Sequence, residues 1–416
     1  MSNYIQKLNR MFQYAYHNEF TNFYPDLYGK KIPTNFTIDS LIDWRSLPFV
    51  TKDALMAVPL LERTFTEVSD ASILRTSSGT SGRGVLMTLR NHDWRYTEAF
   101  QKYVPTGGLL IGDISYATED AFRSVYPNVS FTQGDVSTME ASISLVAGSQ
   151  INTFGCWLYG YDIAIPLLQK YGLCEQIEMI ITFGERVTSA HYHKLQAVFP
   201  NAFIYTRYGA TEIHDSELGT SAGNFDSRWG TIFNTTTEIY MELVDVETDQ
   251  VIEEIDREGE IVVTMLWSEK NPSPLLRYRM GDVAFYTKYD GDPWKRQYTI
   301  CGRAMLDKIS VPGGFLQTPE WERVFALYAD IVENDFELHY TTPKDSSQQA
   351  RYELWVIQKK DFDETSFAQA FMHQVRISPE RTFADAVAKG LLGAITVKKV
   401  DALSRSGQKR LRFIEH

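Results

Sequence analysis

The spacing of apolar residues changes character along this chain, and each change predicts a different kind of element. Tyr4, Leu8, Met11 and Phe12 recur near helical spacing, which predicts an opening amphipathic helix packed on the body of the protein. Residues 47–55 (LPFVTKDAL) follow, with Thr51 placed to cap a short helix. From Gln176 the rhythm becomes α/β. Residues 178–183 form a short apolar run suited to a buried strand, Gly184-Glu185 turns into a helix over 189–198, and residues 202–206 read as a second strand. Strand, helix and strand at that spacing predict a parallel sheet with functional groups on the loops at its strand ends. Residues 237–245 and 259–265 then alternate like hairpin arms, with 247–250 turning between them.

After Gly302 the pattern shifts again. Strands are expected at 336–340, 352–358 and 394–397, helices at 320–327 and 364–375, and a solvated loop at 344–349. About a hundred residues suffice for a small α+β domain and not for a second large one. The expected fold class is therefore α/β, with a large N-terminal domain of layered sheets and helices (1–302) and a small α+β domain (303–416). A chain of 416 residues exceeds one comfortable core, which favours the same division.

Composition narrows the chemistry. A formal charge of −12 argues against a nucleic-acid surface, which needs a basic face. Cys156, Cys174 and Cys301 are far apart and match no metal spacing, so neither zinc nor a disulfide framework is expected. His191 and His193, two residues apart on a helix, point to different faces and read as surface residues. No apolar segment of signal-peptide length opens the chain, and none approaches the ~18 residues of a membrane helix. These readings together predict a cytoplasmic protein with no membrane partner.

Five short motifs carry the candidate chemistry: RTSSGTSGRG at 75–84, YGATE at 208–212, RYRMGD at 277–282, GRAMLDKI at 302–309 and SRSGQKRLR at 404–412. Ser77, Ser78, Gly79, Thr80, Ser81 and Gly82 offer hydroxyls and unhindered N–H groups, the ingredients of a phosphate loop, although the common G-x-x-x-x-G-K-[ST] pattern is absent. Alone, such a turn reads equally as a linker. YGATE alone reads as a strand end with an exposed glutamate. The carboxylate of Asp282 has two oxygens, which match a diol. The last motif, alone, is a solvated basic tail.

In this order, and across nearly the whole chain, the motifs resemble the adenylate-forming superfamily, closest to the phenylacetate–CoA ligases. The resemblance implies ATP-dependent activation of a carboxylic acid through an acyl- or aryl-adenylate, then transfer to a thiol, either CoA or a phosphopantetheine on an acyl carrier protein. An amine or a protein side chain is the alternative acceptor, and a nucleotide-binding relative without turnover is the alternative from a different class. It implies that residues 77–82 cradle phosphates and that Tyr208 stacks on adenine, with Gly209 and Thr211 beside it in the ATP site. Glu212 would bind Mg²⁺, Asp282 the ribose hydroxyls, and Arg303 ribose and phosphate. Asp307 would be the hinge of a mobile lid, and Lys409 the catalytic lysine that the lid carries. Arg277 and Arg279 read as structural ion-pair partners.

Departures from the family pattern fall at Arg83-Gly84, at Met280, at one residue inserted before Asp307, and at Gly407-Gln408. Phe154, Trp157, Phe183, Gly184 and Glu185 lie where family members build the acyl pocket, for which an aryl or apolar acid is the natural guest. An aromatic core is the competing reading of those rings.

Overall fold

The computed structural model describes residues 3–67, 73–76, 86–89, 107–111, 131–134, 138–158, 160–183, 187–213, 217–222, 225–226, 230–235, 239–266, 271–292, 295–303, 308–312, 314–341, 350–378, 381–403 and 412–416. The opening helix, Asn3–Tyr16, turns Ile5, Leu8, Met11, Phe12 and Ala15 into a first core. Tyr24, Trp44 and Leu47 from the short segments that follow join the same core, facing Tyr240, Tyr278, Tyr286 and Tyr298. Thr51 caps its helix, its hydroxyl accepting from the Ala54 N–H at 3.2 Å.

Those tyrosines belong to a sheet of twelve strands. From one edge the order is Val251–Ile252, Ile239–Val244, Gly259–Met265, Tyr278–Lys288, Gln297–Arg303, Phe233–Thr235, Glu217–Ala222, Phe203–Gly209, Met179–Phe183, Thr153–Trp157, Gly108–Ile111 and Phe131–Gly134. The last five run parallel to one another and the rest pair antiparallel. A second core lies between the parallel strands and the helices Met139–Val146, Gly160–Lys170 and Ser189–Val198. Parallel strands covered on both faces lose the alternation of polar and apolar residues, and all five residues of Thr153–Trp157 are buried. The helix beside that strand begins in contact with it. A Cβ on Gly160 would stand 2.1 Å from Cys156 Sγ and 2.9 Å from the Trp157 ring, so only glycine fits.

A third core forms apart from the large sheet, between Leu316 and Phe413. Its four-stranded sheet has the order Ile395–Lys399, Arg351–Gln358, Val332–Thr341, Phe413–Glu415. Trp321, fully buried on the helix Thr318–Ala326, is ringed by Phe336, Phe371, Phe383 and Phe413 at centroid distances of 5.3–6.3 Å. Arg412, 5 % exposed, anchors the final strand by ion pairs to Asp335 and Glu322.

Candidate functional site

The RYRMGD segment is the entrance to a strand, and three of its residues hold the fourth in place. Arg277 takes a left-handed backbone (φ +48°) and buries its guanidinium against Glu242, Nε to Oε2 3.1 Å. Its Nη1 donates to the carbonyls of Arg45 and Leu47, both at 2.6 Å, and the Phe49 ring lies 4.2 Å away. Residues 47–55 therefore do have a task, which is to bracket this motif. Val50 extends the bracket, donating to the Arg277 carbonyl and accepting from the Arg279 N–H. Arg279 pairs with Glu260 at 2.7 Å and Asp249 at 2.9 Å. Both arginines are structural, as their sequence context implied. Gly281, at φ +77°, then turns the chain and donates its N–H to Glu260 Oε1 at 3.1 Å, which delivers Asp282 half-buried and opposite Arg303 in the antiparallel ladder.

Tyr208 reaches this carboxylate from the other half of the sheet, its Oη donating to Asp282 Oδ2 at 2.5 Å. Four strand steps separate their strands. In a flat sheet that would be roughly 19 Å, beyond the reach of the two side chains, so the sheet bends between its parallel and antiparallel halves. Tyr208 stands at that bend, tilted against Phe233 (5.9 Å) and edge-on to Tyr298 (6.5 Å).

Glu212 follows on the short 3-10 turn Thr211–Ile213 and is half-buried. The phenol of Tyr278 is held well above its ordinary ionisation range, first by burial and then by the charges of Glu212, Asp282 and Glu260. That one ring feels all three carboxylates places Glu212 and Asp282 on a common side of the site. Among the described residues Glu212 has no ion-pair partner. A half-buried carboxylate without a cation suits a hard metal ion such as Mg²⁺. Among the described residues no group of three or more His, Cys, Asp or Glu could hold a metal by itself, so substrate oxygens would have to complete such a site.

Other expected site residues fall differently. Phe154 is fully buried and edge-on to Tyr161 at 5.6 Å, so it is a core residue and lines no pocket open to solvent. Trp157, 4 % exposed, belongs to the same core. Ser77–Gly82, Gly184, Glu185, Asp307 and Lys409 lie outside the described residues, as do the side chains of Phe183, Thr211 and Arg303. Residues 77–85 connect two antiparallel strands, Ile73–Thr76 and Leu86–Leu89.

His191 corrects the surface reading given to the histidine pair. His193 is exposed, but His191 is half-buried in a capping box, where its Nδ1 lies 3.0 Å from Thr188 Oγ1. Its pKa is pushed down to about 4, chiefly by burial, with Glu322 of the third core opposing the shift and Arg412 reinforcing it. A folded value below the ordinary 6.5 means that the unfolded chain takes up the proton first. Stability should be complete above that ordinary value and fall as pH drops toward 4, by about 2 kcal/mol once partial exposure is allowed for. Urea midpoints measured across this range should flatten in His191→Gln; an unchanged slope would clear this histidine of the effect.

No family model matches the sequence, and no curated protein matches it. Solved structures do share its fold. Against 2-hydroxyisobutyryl-CoA ligase in the postadenylation state, in complex with 2-HIB-AMP, the TM-score is 0.76 at 14 % identity, over 99 % of this chain and 88 % of that one. The same ligase with 2-HIB-AMP and CoA in the thioesterification state gives 0.60. The anthranilate CoA ligase AuaEII in complex with anthranoyl-AMP gives 0.57 at 14 % identity, over 82 % of this chain and 64 % of that one. The chain thus has the fold of the adenylate-forming ligases, a large α/β domain followed by a smaller C-terminal one.

Proposed function

We propose that this chain is an AMP-forming acid–thiol ligase. A carboxylate oxygen of a small acid attacks the α-phosphorus of ATP and pyrophosphate leaves; the sulfur of CoA then attacks the acyl carbon and AMP leaves. The observation that carries this reading is the meeting of Tyr208 and Asp282, 74 residues apart in sequence, with Glu212 beside them at the bend of the sheet. Asp282 would accept the ribose hydroxyls, the Tyr208 ring would face adenine, and Glu212 would hold Mg²⁺. The metal, when bound, offsets the charge of the phosphates. The division at residues 302 and 303, the hinge at Asp307 and the lysine role of Lys409 belong to the same proposal. Higher similarity to the postadenylation state (0.76) than to the thioesterification state (0.60) of one ligase supports an arrangement that serves the first half-reaction.

The acid is a small aryl or apolar one in this reading, and the acceptor is CoA in preference to a carrier protein. No described helix is long and apolar enough to cross a membrane, and three free cysteines support a reducing, cytoplasmic setting. ATP–pyrophosphate exchange over a panel of carboxylic acids tests the first step directly. Asp282→Ala should raise the Michaelis constant for ATP in that assay at least tenfold, since each hydrogen bond to a charged acceptor is worth roughly 1.5–3 kcal/mol. An unchanged constant would leave RYRMGD as a structural turn only.

A further inference from the structure

We propose that the Tyr208 hydroxyl is a positioning group that sets the Asp282 carboxylate for both ribose hydroxyls and so makes the site select ribonucleotides over deoxynucleotides. The inference rests on the nucleotide reading of the site and adds to it a task for the phenol oxygen, separate from that of the ring. Three observations converge. The Oη donates directly to Asp282 Oδ2 at 2.5 Å. The Tyr208 ring is packed against Phe233 and Tyr298, so the position of its hydroxyl is set by two neighbouring rings. The Asp282 backbone is fixed by the Gly281 turn and the ladder to Arg303, which leaves rotation of the carboxylate plane as the freedom to be removed.

A carboxylate presents about four acceptor sites on its two oxygens. With Tyr208 occupying one site on Oδ2, that oxygen can still accept a ribose hydroxyl while Oδ1 meets the other. A donor that holds the plane in advance spares the nucleotide the cost of ordering it. Because the bond spans the bend of the sheet, it also ties the element proposed to face adenine to the element proposed to hold ribose. Discrimination between one and two ribose hydroxyls should therefore depend on a tyrosine that need not touch either.

Tyr208→Phe keeps the ring and removes only the hydroxyl. Binding of ATP, 2′-deoxy-ATP and 3′-deoxy-ATP would be measured by calorimetry on the wild-type chain, on Tyr208→Phe and on Asp282→Asn. The wild-type chain should prefer ATP to either deoxynucleotide by about 10–100-fold, the worth of one hydrogen bond to a charged acceptor. Tyr208→Phe should lose most of that preference, through weaker ATP binding with the deoxynucleotides nearly unchanged, and Asp282→Asn should lose it too. Equal weakening of all three nucleotides by Tyr208→Phe would assign the residue to stacking or structure and overturn the inference. Retention of the wild-type preference would overturn it as well. Failure of the wild-type chain to bind any of the three would overturn the nucleotide reading itself, a result distinct from either.

Discussion

Lys409→Ala is expected to slow adenylate formation by about 10²–10³-fold while leaving ATP affinity nearly intact. As carboxylate and α-phosphate approach, two anions are pressed together, and a cation that engages only then stabilises the transition state without contributing to ground-state binding. In the proposed assignment Lys409 supplies that charge. The motif that carries it ends on Arg412, which is buried between Asp335 and Glu322, so its C-terminal end is fixed to the small domain. Rapid-quench measurement of pyrophosphate release, beside an ATP titration, separates the two quantities. Turnover at the native rate would remove Lys409 from the chemistry, and a parallel loss of ATP binding would recast it as a binding residue.

The second large effect concerns stability. Arg277→Met should destabilise the fold by about 3–5 kcal/mol, the usual consequence of leaving one member of a buried ion pair alone. Glu242 is 1 % exposed and has Trp44 Nε1 as a second donor at 3.3 Å, too little to stand in for a guanidinium. Loss of Arg277 also removes the donor to the Arg45 and Leu47 carbonyls. The double variant Arg277→Met/Glu242→Met separates these causes in urea titrations. Recovery of much of the loss would assign it to the orphaned charge, whereas no recovery would assign it to the two backbone anchors. A loss under about 1 kcal/mol in the single variant would mean that the site admits water.

What the sequence made legible follows from how regular each segment is. The helix Ser189–Val198 and the strand Gly259–Met265 lie where periodicity placed them. The strand expected at 202–206 runs further, as Phe203–Gly209, and so carries Tyr208 and Gly209 within it. In the small domain the strand Arg351–Gln358 and the helix Glu364–Gln374 agree with expectation to within a residue. Irregular residues hid other elements. Pro166 stands inside the helix Gly160–Lys170, where proline normally signals an end. In the Tyr278–Lys288 strand, the arginines and Gly281 break the alternation that would announce it, because Arg277 and Arg279 find their partners within the fold. The aromatic cluster at 154–161 could not be divided between core and pocket from spacing alone; packing assigns Phe154 to the core. Nor could any local pattern have revealed the bond from Tyr208 to Asp282, since it depends on the bend of a sheet assembled from distant segments.

The separation of the third core from the large sheet bears on what melting experiments mean for this chain. Cooperativity is a property of a shared core, and Trp321 with its surrounding phenylalanines shares little with the tyrosines packed around the opening helix. Heat or denaturant acts here on more than one cooperative unit, so no single transition temperature describes the protein. The loss expected of Arg277→Met should appear in the transition of the large domain and leave that of the small domain in place. Fluorescence from Trp44 and Trp321, one in each unit, provides two local clocks for the same unfolding reaction.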